Sequence, residues 1–151
     1  MVGGGAVATA LPASNSGFVK TSRPFDGGDR GRRPDDGWRA DLYNGSLGTG
    51  VGRVTAICLR NDRWDVSYAR DVFKDLPSSA GGVTSAFCPK GTSVAAGGGS
   101  VGPGEGEAWL NSSIPIDGGD EDGVPDDVWT SYYYNFSGDP KNVTAYAVCK
   151  G

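Results

Sequence analysis

The chain repeats itself. Residues 18–58 align without a gap on residues 109–149 at a constant offset of 91, with 15 of 41 positions identical. Chance gives about three or four identities over that length, so one supersecondary unit is used twice. The shared residues are Ser22/Ser113, Pro24/Pro115, Asp26-Gly27-Gly28-Asp29 with Asp117-Gly118-Gly119-Asp120, Pro34-Asp35-Asp36 with Pro125-Asp126-Asp127, Trp38/Trp129, Tyr43-Asn44 with Tyr134-Asn135, Ser46/Ser137, Ala56/Ala147 and Cys58/Cys149. What both repeats keep reads as scaffold, and what differs between them is where function can reside. A chain of 151 residues can bury one ordinary core or two small ones, and the repeat favours two related halves sharing an interface.

Short apolar runs dominate the pattern. Segments 17–23, 37–44, 51–58, 63–68, 82–88, 92–97, 108–113, 128–136 and 142–149 carry β-branched or aromatic residues and are separated by Gly, Pro, Asp, Asn or Ser clusters. An all-β fold follows, an antiparallel sandwich or barrel built from two homologous units. The units are residues 1–61 and 82–151, joined by a connector, 62–81. Ala69, Val72, Phe73 and Leu76 have helical spacing and allow one short helix before Pro77. Gly and Pro account for 26 and 9 residues, but four Trp, six Tyr and five Phe supply the apolar surface that disordered chains lack. In the clearest strand, Trp129, Ser131 and Tyr133 share one face, as do Trp38, Ala40 and Leu42 in the other repeat, and that face is assigned to the core. The opposite face of the second repeat presents Tyr132 and Tyr134, either packed on a neighbouring layer or forming an exposed aromatic platform.

Charge and composition exclude several functions. The net charge is −4 and His is absent, which argues against nucleic acid as partner and removes the commonest general base and neutral metal ligand. No run of 18 apolar residues is present, so no membrane span is expected. Residues 1–14 lack the basic start and long apolar run of a signal peptide, and a leader is expected to have been removed if the protein is exported.

Three cysteines are present. Cys88 and Cys149 bracket the second repeat, and Cys58 is the counterpart of Cys149. Val2-Gly3-Gly4-Gly5-Ala6-Val7 matches Ala96-Gly97-Gly98-Gly99-Ser100-Val101, placing the counterpart of Cys88 upstream of Met1, so the first unit reads as truncated at its start. A Cys88–Cys149 disulfide with Cys58 free is favoured; the alternative is three reduced, buried thiols.

Cys88-Pro89-Lys90-Gly91, then Gly97-Gly98-Gly99, a Ser-x-Pro segment, the Trp strand with Tyr134-Asn135, and Ala145-Tyr146-Ala147-Val148-Cys149 resemble the Cys-Pro-x-Gly…Gly-Gly-Gly…Cys repeats of secreted actinobacterial proteins. The resemblance covers residues 82–149 well and 2–58 in part, departing from the pattern at the missing first cysteine and in the acidic insert. It implies an extracytoplasmic β domain, secreted or at the cell surface, and carries no catalytic residues with it.

Two loops hold the remaining candidates. Asp117, Asp120, Asp122, Asp126 and Asp127 surround a Gly-enabled turn and could supply oxygen ligands to Ca²⁺. The piece from Asp120 to Asp127 is similar to calcium-binding repeats reading Asp-x-Asp-Gly-Val-Pro-Asp, although Gly118 stands where such a loop begins and Trp129 where its closing carboxylate belongs. The alternative is a solvated loop whose Asp side chains cap turns. In the first repeat Arg30, Arg32 and Arg33 occupy the same loop. Residues 91–140 hold nine acidic and no basic residues, while residues 17–58 hold seven basic and five acidic. Arg30 stands where Glu121 stands. Opposite tips of this kind can attract each other within a chain or between chains, head to tail.

Sequons at Asn44, Asn111, Asn135 and Asn142 are explained by turn composition. Without His, Cys58 has no imidazole partner, and the pairs Asp35/Asp36 and Asp126/Asp127 are adjacent and point to opposite faces if extended. No catalytic residue is assigned. The expectation is a non-enzymatic structural, assembly or adhesion module whose partner is itself or an extracellular glycan or protein, with no cofactor. The alternatives are a carbohydrate-binding domain using Tyr132, Tyr134 and Ca²⁺, and an Asp/Glu enzyme acting on a glycan.

Overall fold

The computed structural model describes residues 2–10, 17–27, 34, 36–45, 49–58, 65–102, 108–118, 124 and 126–151. These form ten strands and no helix: β1 (Gly3–Ala10), β2 (Gly17–Phe25), β3 (Gly37–Asn44), β4 (Gly50–Ile57), β5 (Val66–Leu76), β6 (Ala80–Phe87), β7 (Ser93–Val101), β8 (Ala108–Ile116), β9 (Val128–Asn135) and β10 (Lys141–Lys150). They assemble into three antiparallel sheets, β1-β4, β3-β2-β7-β10-β5 and β6-β9-β8. No sheet closes into a barrel among the described residues. The three-stranded sheet packs across β7 and β10, and the β1-β4 ribbon packs across β2 and β3.

Hairpin register is the same in both repeats. The β2-β3 ladder shifts between Val19 and Thr21, and the β8-β9 ladder shifts between Leu110 and Ser112. Adding 91 to each residue of the first ladder reproduces the second, its bulge included. A bulge bends its strand and fixes which side chains face inward on either side of it. The sequence repeat therefore specifies the same local geometry twice.

The retained Trp and Ser meet across each hairpin. Trp129 Nε1 donates to Ser113 Oγ at 2.6 Å, and Trp38 Nε1 donates to Ser22 Oγ at 2.8 Å. With its polar edge satisfied, each indole lies on the facing strand where there is no side chain. A Cβ at Gly97 would overlap the Trp129 ring and the Tyr146 carbonyl, and one at Gly4 would overlap the Trp38 ring and the Thr55 carbonyl. These contacts match Gly4 to Gly97, an offset of 93 (97 − 4). The ladders agree, because Gly4 pairs with Ala56 and Gly97 with Ala147. The glycine runs thus correspond one residue away from the alignment their sequence suggests. Asp36 and Asp127 also act alike, each accepting the amide of the glycine that opens its loop, Gly27 at 2.8 Å and Gly118 at 3.0 Å.

Two expectations are corrected. β1 was not anticipated, because its glycines and alanines lack β propensity; its backbone pairs with β4 from Gly3 to Ala10, and at Gly4 the Trp38 ring lies where a Cβ would be. The stretch with helical spacing is strand β5, which lies wholly within residues 62–81, the span read as a connector. The β5-β10 ladder shifts between its Phe73 and Leu76 pairings. That irregularity puts residues three apart on one face, so Ala69, Phe73 and Leu76 point the same way in an extended chain. The edge of β10 offers β5 backbone partners along its length, which an isolated helical turn could not match.

Inward side chains build two clusters. Ala86, Ala145, Ala147 and Cys149 form one, with Ala69, Cys88, Val94 and Trp129 against it. Leu76, Tyr133 and Val143 form the other, with Ala80, Val101 and Leu110 against it. The core is thus concentrated where β5 and β6 cover β10 and β9. Replacing Gly97 by Ala should destabilise the fold by about 1–3 kcal/mol through overpacking. Thermal denaturation should show it, whereas Gly5→Ala, where a Cβ meets open space, should leave the midpoint nearly unchanged.

Candidate assembly and binding surfaces

Strand alternation sends one side of the β6-β9-β8 sheet into the core and the other outward. Ladder pairings order the outward residues in rows: Phe87, Val128 and Ile116; Ser85, Thr130 and Ile114; Val83, Tyr132 and Ser112; Gly81, Tyr134 and Trp109. None carries a charge. Phe87, Val83, Ile114 and Tyr132 are exposed, at 65, 48, 44 and 39%. At the equivalent places on β2 and β3 the first repeat has Arg23 for Ile114, Arg39 for Thr130 and Asp41 for Tyr132. There Arg39 and Asp41 form an exposed ion pair at 3.2 Å, and the Arg23 guanidinium lies 5.5 Å from the centre of the Tyr146 ring. The two hairpins therefore share one register and present an uncharged and a charged exterior.

Tyr134 is not a free platform. Its hydroxyl donates to the Ser79 carbonyl at 3.2 Å, and its ring meets Phe136 at 3.9 Å between centroids. Phe136 stacks on Trp109 at 4.5 Å, and Trp109 stacks on Phe18 at 4.4 Å with the planes 7° apart. Both faces of Trp109 are thereby covered by rings. A sugar platform needs an open ring face, and this row presents ring edges; Tyr132 stands outside it. Phe18, Trp109 and Phe136 carry no motif, and because they come from β2, from β8 of another sheet and from the residue after β9, no sequence signal links them.

Of the loop residues read as candidates, Arg30, Arg32, Arg33, Asp120, Glu121 and Asp122 lie outside the described residues. Asp127 closes the base of its loop on the Gly118 amide, and its backbone carbonyl accepts the Cys88 amide at 3.3 Å. The Asp126 carbonyl accepts the Val94 amide. Among the described residues no three His, Cys, Asp or Glu side chains gather as a metal site. Asp117, Asp126 and Asp127 are thus placed at the loop base, where two of the three engage the strands beneath.

Other polar groups of the second repeat serve the scaffold. Asn135 is fully buried: its amide nitrogen donates toward the Leu76, Pro77 and Asp139 carbonyls at 2.9–3.2 Å, and its oxygen accepts from the Ser137 amide at 3.0 Å. A glycan cannot attach to it in the folded protein. Tyr133 donates its hydroxyl to the Thr144 carbonyl at 2.6 Å, and burial pushes its phenol well above the ordinary tyrosine range, so it stays neutral. A hollow of about 370 Å³ lies between β1 and β8, lined by Gly4, Ala6, Asn111, Ser112, Ser113 and Trp129. It contains hydroxyls, an amide and backbone but no ionisable side chain.

Cys88 and Cys149 form a disulfide with Cα atoms 5.6 Å apart, and Cys58 is free and exposed. No helix of the described residues is long and apolar enough to cross a membrane. No family model, curated protein or solved structure matches the chain. The disulfide ties residues separated by 61 positions. Its removal in Cys88→Ser/Cys149→Ser should cost on the order of 4 kcal/mol by the chain-entropy relation. Chemical denaturation of the double variant, compared with Cys58→Ser as a control of unchanged stability, measures it.

Proposed function

We propose that the protein is a non-enzymatic, extracytoplasmic assembly module: a β sandwich of two homologous units that associates with copies of itself through the outward face of β6-β9-β8. The observation that carries this reading is the uncharged outer face of the second repeat, set against Arg23, Arg39 and Asp41 at the matching places of the first. Exposed large apolar side chains gathered on an uncharged face, here Phe87, Val83, Ile114 and Tyr132, are what association sites use. Common ancestry of the units is supported by the identical bulge positions of the two hairpins, which the stack of Phe18 on its own counterpart Trp109 brings together. The disulfide fits an oxidising compartment. The basic loop 26–36 and the acidic loop 117–127 orient neighbouring copies, while the apolar face supplies most of the affinity.

A glycan-binding role is the second reading, favoured only by the exposed ring of Tyr132, with Ca²⁺ at loop 117–127 as its aid. Sedimentation over a range of protein concentrations distinguishes the two. Self-association should be concentration-dependent, should survive 1 M salt, where the screening length falls to about 3 Å, and should disappear in Val83→Lys/Tyr132→Asp with little change in thermal midpoint. Association abolished by salt instead assigns it to the charged loops. A wild type that stays monomeric while calorimetry detects Ca²⁺ or oligosaccharide binding replaces this reading with the second.

A further inference from the structure

The outer face of the β3-β2-β7-β10-β5 sheet, on the opposite side of the sandwich from the β6-β9-β8 face, carries a hollow of about 560 Å³. Its floor is set by the ladders, because residues directly opposite each other share a face and so do alternate residues along a strand. Asp41, Thr21, Ser100, Thr144 and Val72 lie side by side across all five strands in that order. Beside them run Arg39, Arg23, Gly98, Tyr146 and Arg70, with Arg23 and Gly98 one step beyond the rung that joins Ser22 to Gly99. Gly98 has no side chain, and across it the Arg23 guanidinium lies 5.5 Å from the centre of the Tyr146 ring. Thr21 and Ser100 are buried at the bottom, Arg23 and Tyr146 are half-buried, and Arg70 and Asn142 are exposed at the rim.

Charge is concentrated here against the balance of the whole chain. The protein carries −4 overall, but these two rows hold three guanidiniums, Arg23, Arg39 and Arg70, and one carboxylate, Asp41. Asp41 is engaged by Arg39 at 3.2 Å. Among the described residues neither Arg23 nor Arg70 forms an ion pair, and Arg23 donates only to the carbonyl of its neighbour Pro24 at 3.3 Å. A guanidinium fork matches the paired oxygens of a carboxylate or sulfate. Between the two free cations stand neutral hydroxyls that both donate and accept, those of Thr144 and Tyr146, with the Asn142 side chain beside them.

We infer that this hollow binds an anionic oligosaccharide, its carboxylate or sulfate groups on Arg23 and Arg70 and its sugar hydroxyls on Thr144, Tyr146 and Asn142. Three strand spacings separate the two arginines, about 14 Å, which is wider than one sugar ring and calls for a chain of them. An acidic peptide fits less well. Extended peptides bind sheets by adding to an edge, and β7 and β10 at the centre of this floor are paired on both sides, leaving side chains alone to meet a ligand. Asp41 holds Arg39 away from the ligand and opposes a second anion, so it limits affinity.

Calorimetry of the full-length protein with hexagalacturonate and with a sulfated dextran oligomer tests the inference, with uncharged dextran and polyglutamate for comparison. At least one anionic sugar should bind, the tighter of the two identifying the oxyanion, and dextran should not. Arg23→Gln and Arg70→Gln should each weaken binding about tenfold. Arg53→Gln, which removes the same charge from β4, should leave it unchanged. Asp41→Asn should strengthen it about threefold, a direction of change that misfolding cannot produce. Absence of binding by both anionic sugars, equal weakening by Arg53→Gln, or polyglutamate bound as tightly and with the same dependence on Arg23 would overturn the inference, the last in favour of an acidic protein segment. Self-association through β6-β9-β8 is read on the opposite sheet, so either proposal can fail without the other.

Discussion

An indole laid over bare backbone sets the spacing of this protein's layers. Trp129 on Gly97 and Trp38 on Gly4 bring a ring to a strand where a single methyl would collide with it. The ring can lie there because its one polar atom already has a partner in Ser113 or Ser22. Two repeated residues thereby determine a third, the glycine, which sits on a strand outside the gap-free alignment. The rest of the interior adapts to that close approach, with alanines along β10 and small residues along β6 where larger ones would hold the sheets apart.

The strands flanking this arrangement explain why two similar repeats end in different states. β5 and β6 bury one repeat from the side, and the clusters around Ala145 and Leu76 are the result. The first repeat has the same hairpin register, the same indole and the same loop-closing aspartate, yet its β4 remains open to solvent. Local geometry is therefore repeated while burial is not, because burial depends on what lies alongside. The exteriors diverge as well, one charged and one uncharged, on strands whose inward faces still correspond.

Polar residues that could pass for functional groups are largely absorbed by this scaffold. Asn135 ties the end of β9 to the β5-β6 turn and to its own following loop. Asp127 closes its loop, and Tyr133 is held neutral in the core. Among the described residues, what these contacts leave exposed includes an uncharged sheet face on β6-β9-β8 and the length of β4.

Much of this was legible in the chain by itself. Alternation and turn residues determined β2 to β4 and β6 to β10 and the inward face of Trp129, Ser131 and Tyr133, and the repeat pointed to the pairing of Cys88 with Cys149, because each depends on neighbours a few residues away or on the repeat. Tertiary structure alone decided the rest. β1 has no side-chain pattern to announce it and pairs with β4 where the Trp38 ring meets Gly4; the spacing of Ala69, Phe73 and Leu76 reads as helix until a ladder shift on β10 makes it strand. The ring row from Phe18 to Tyr134 and the exposure of Val54 follow from which strands lie side by side. Periodicity records which way a side chain points; whether anything waits there to cover it is settled only when distant segments pack.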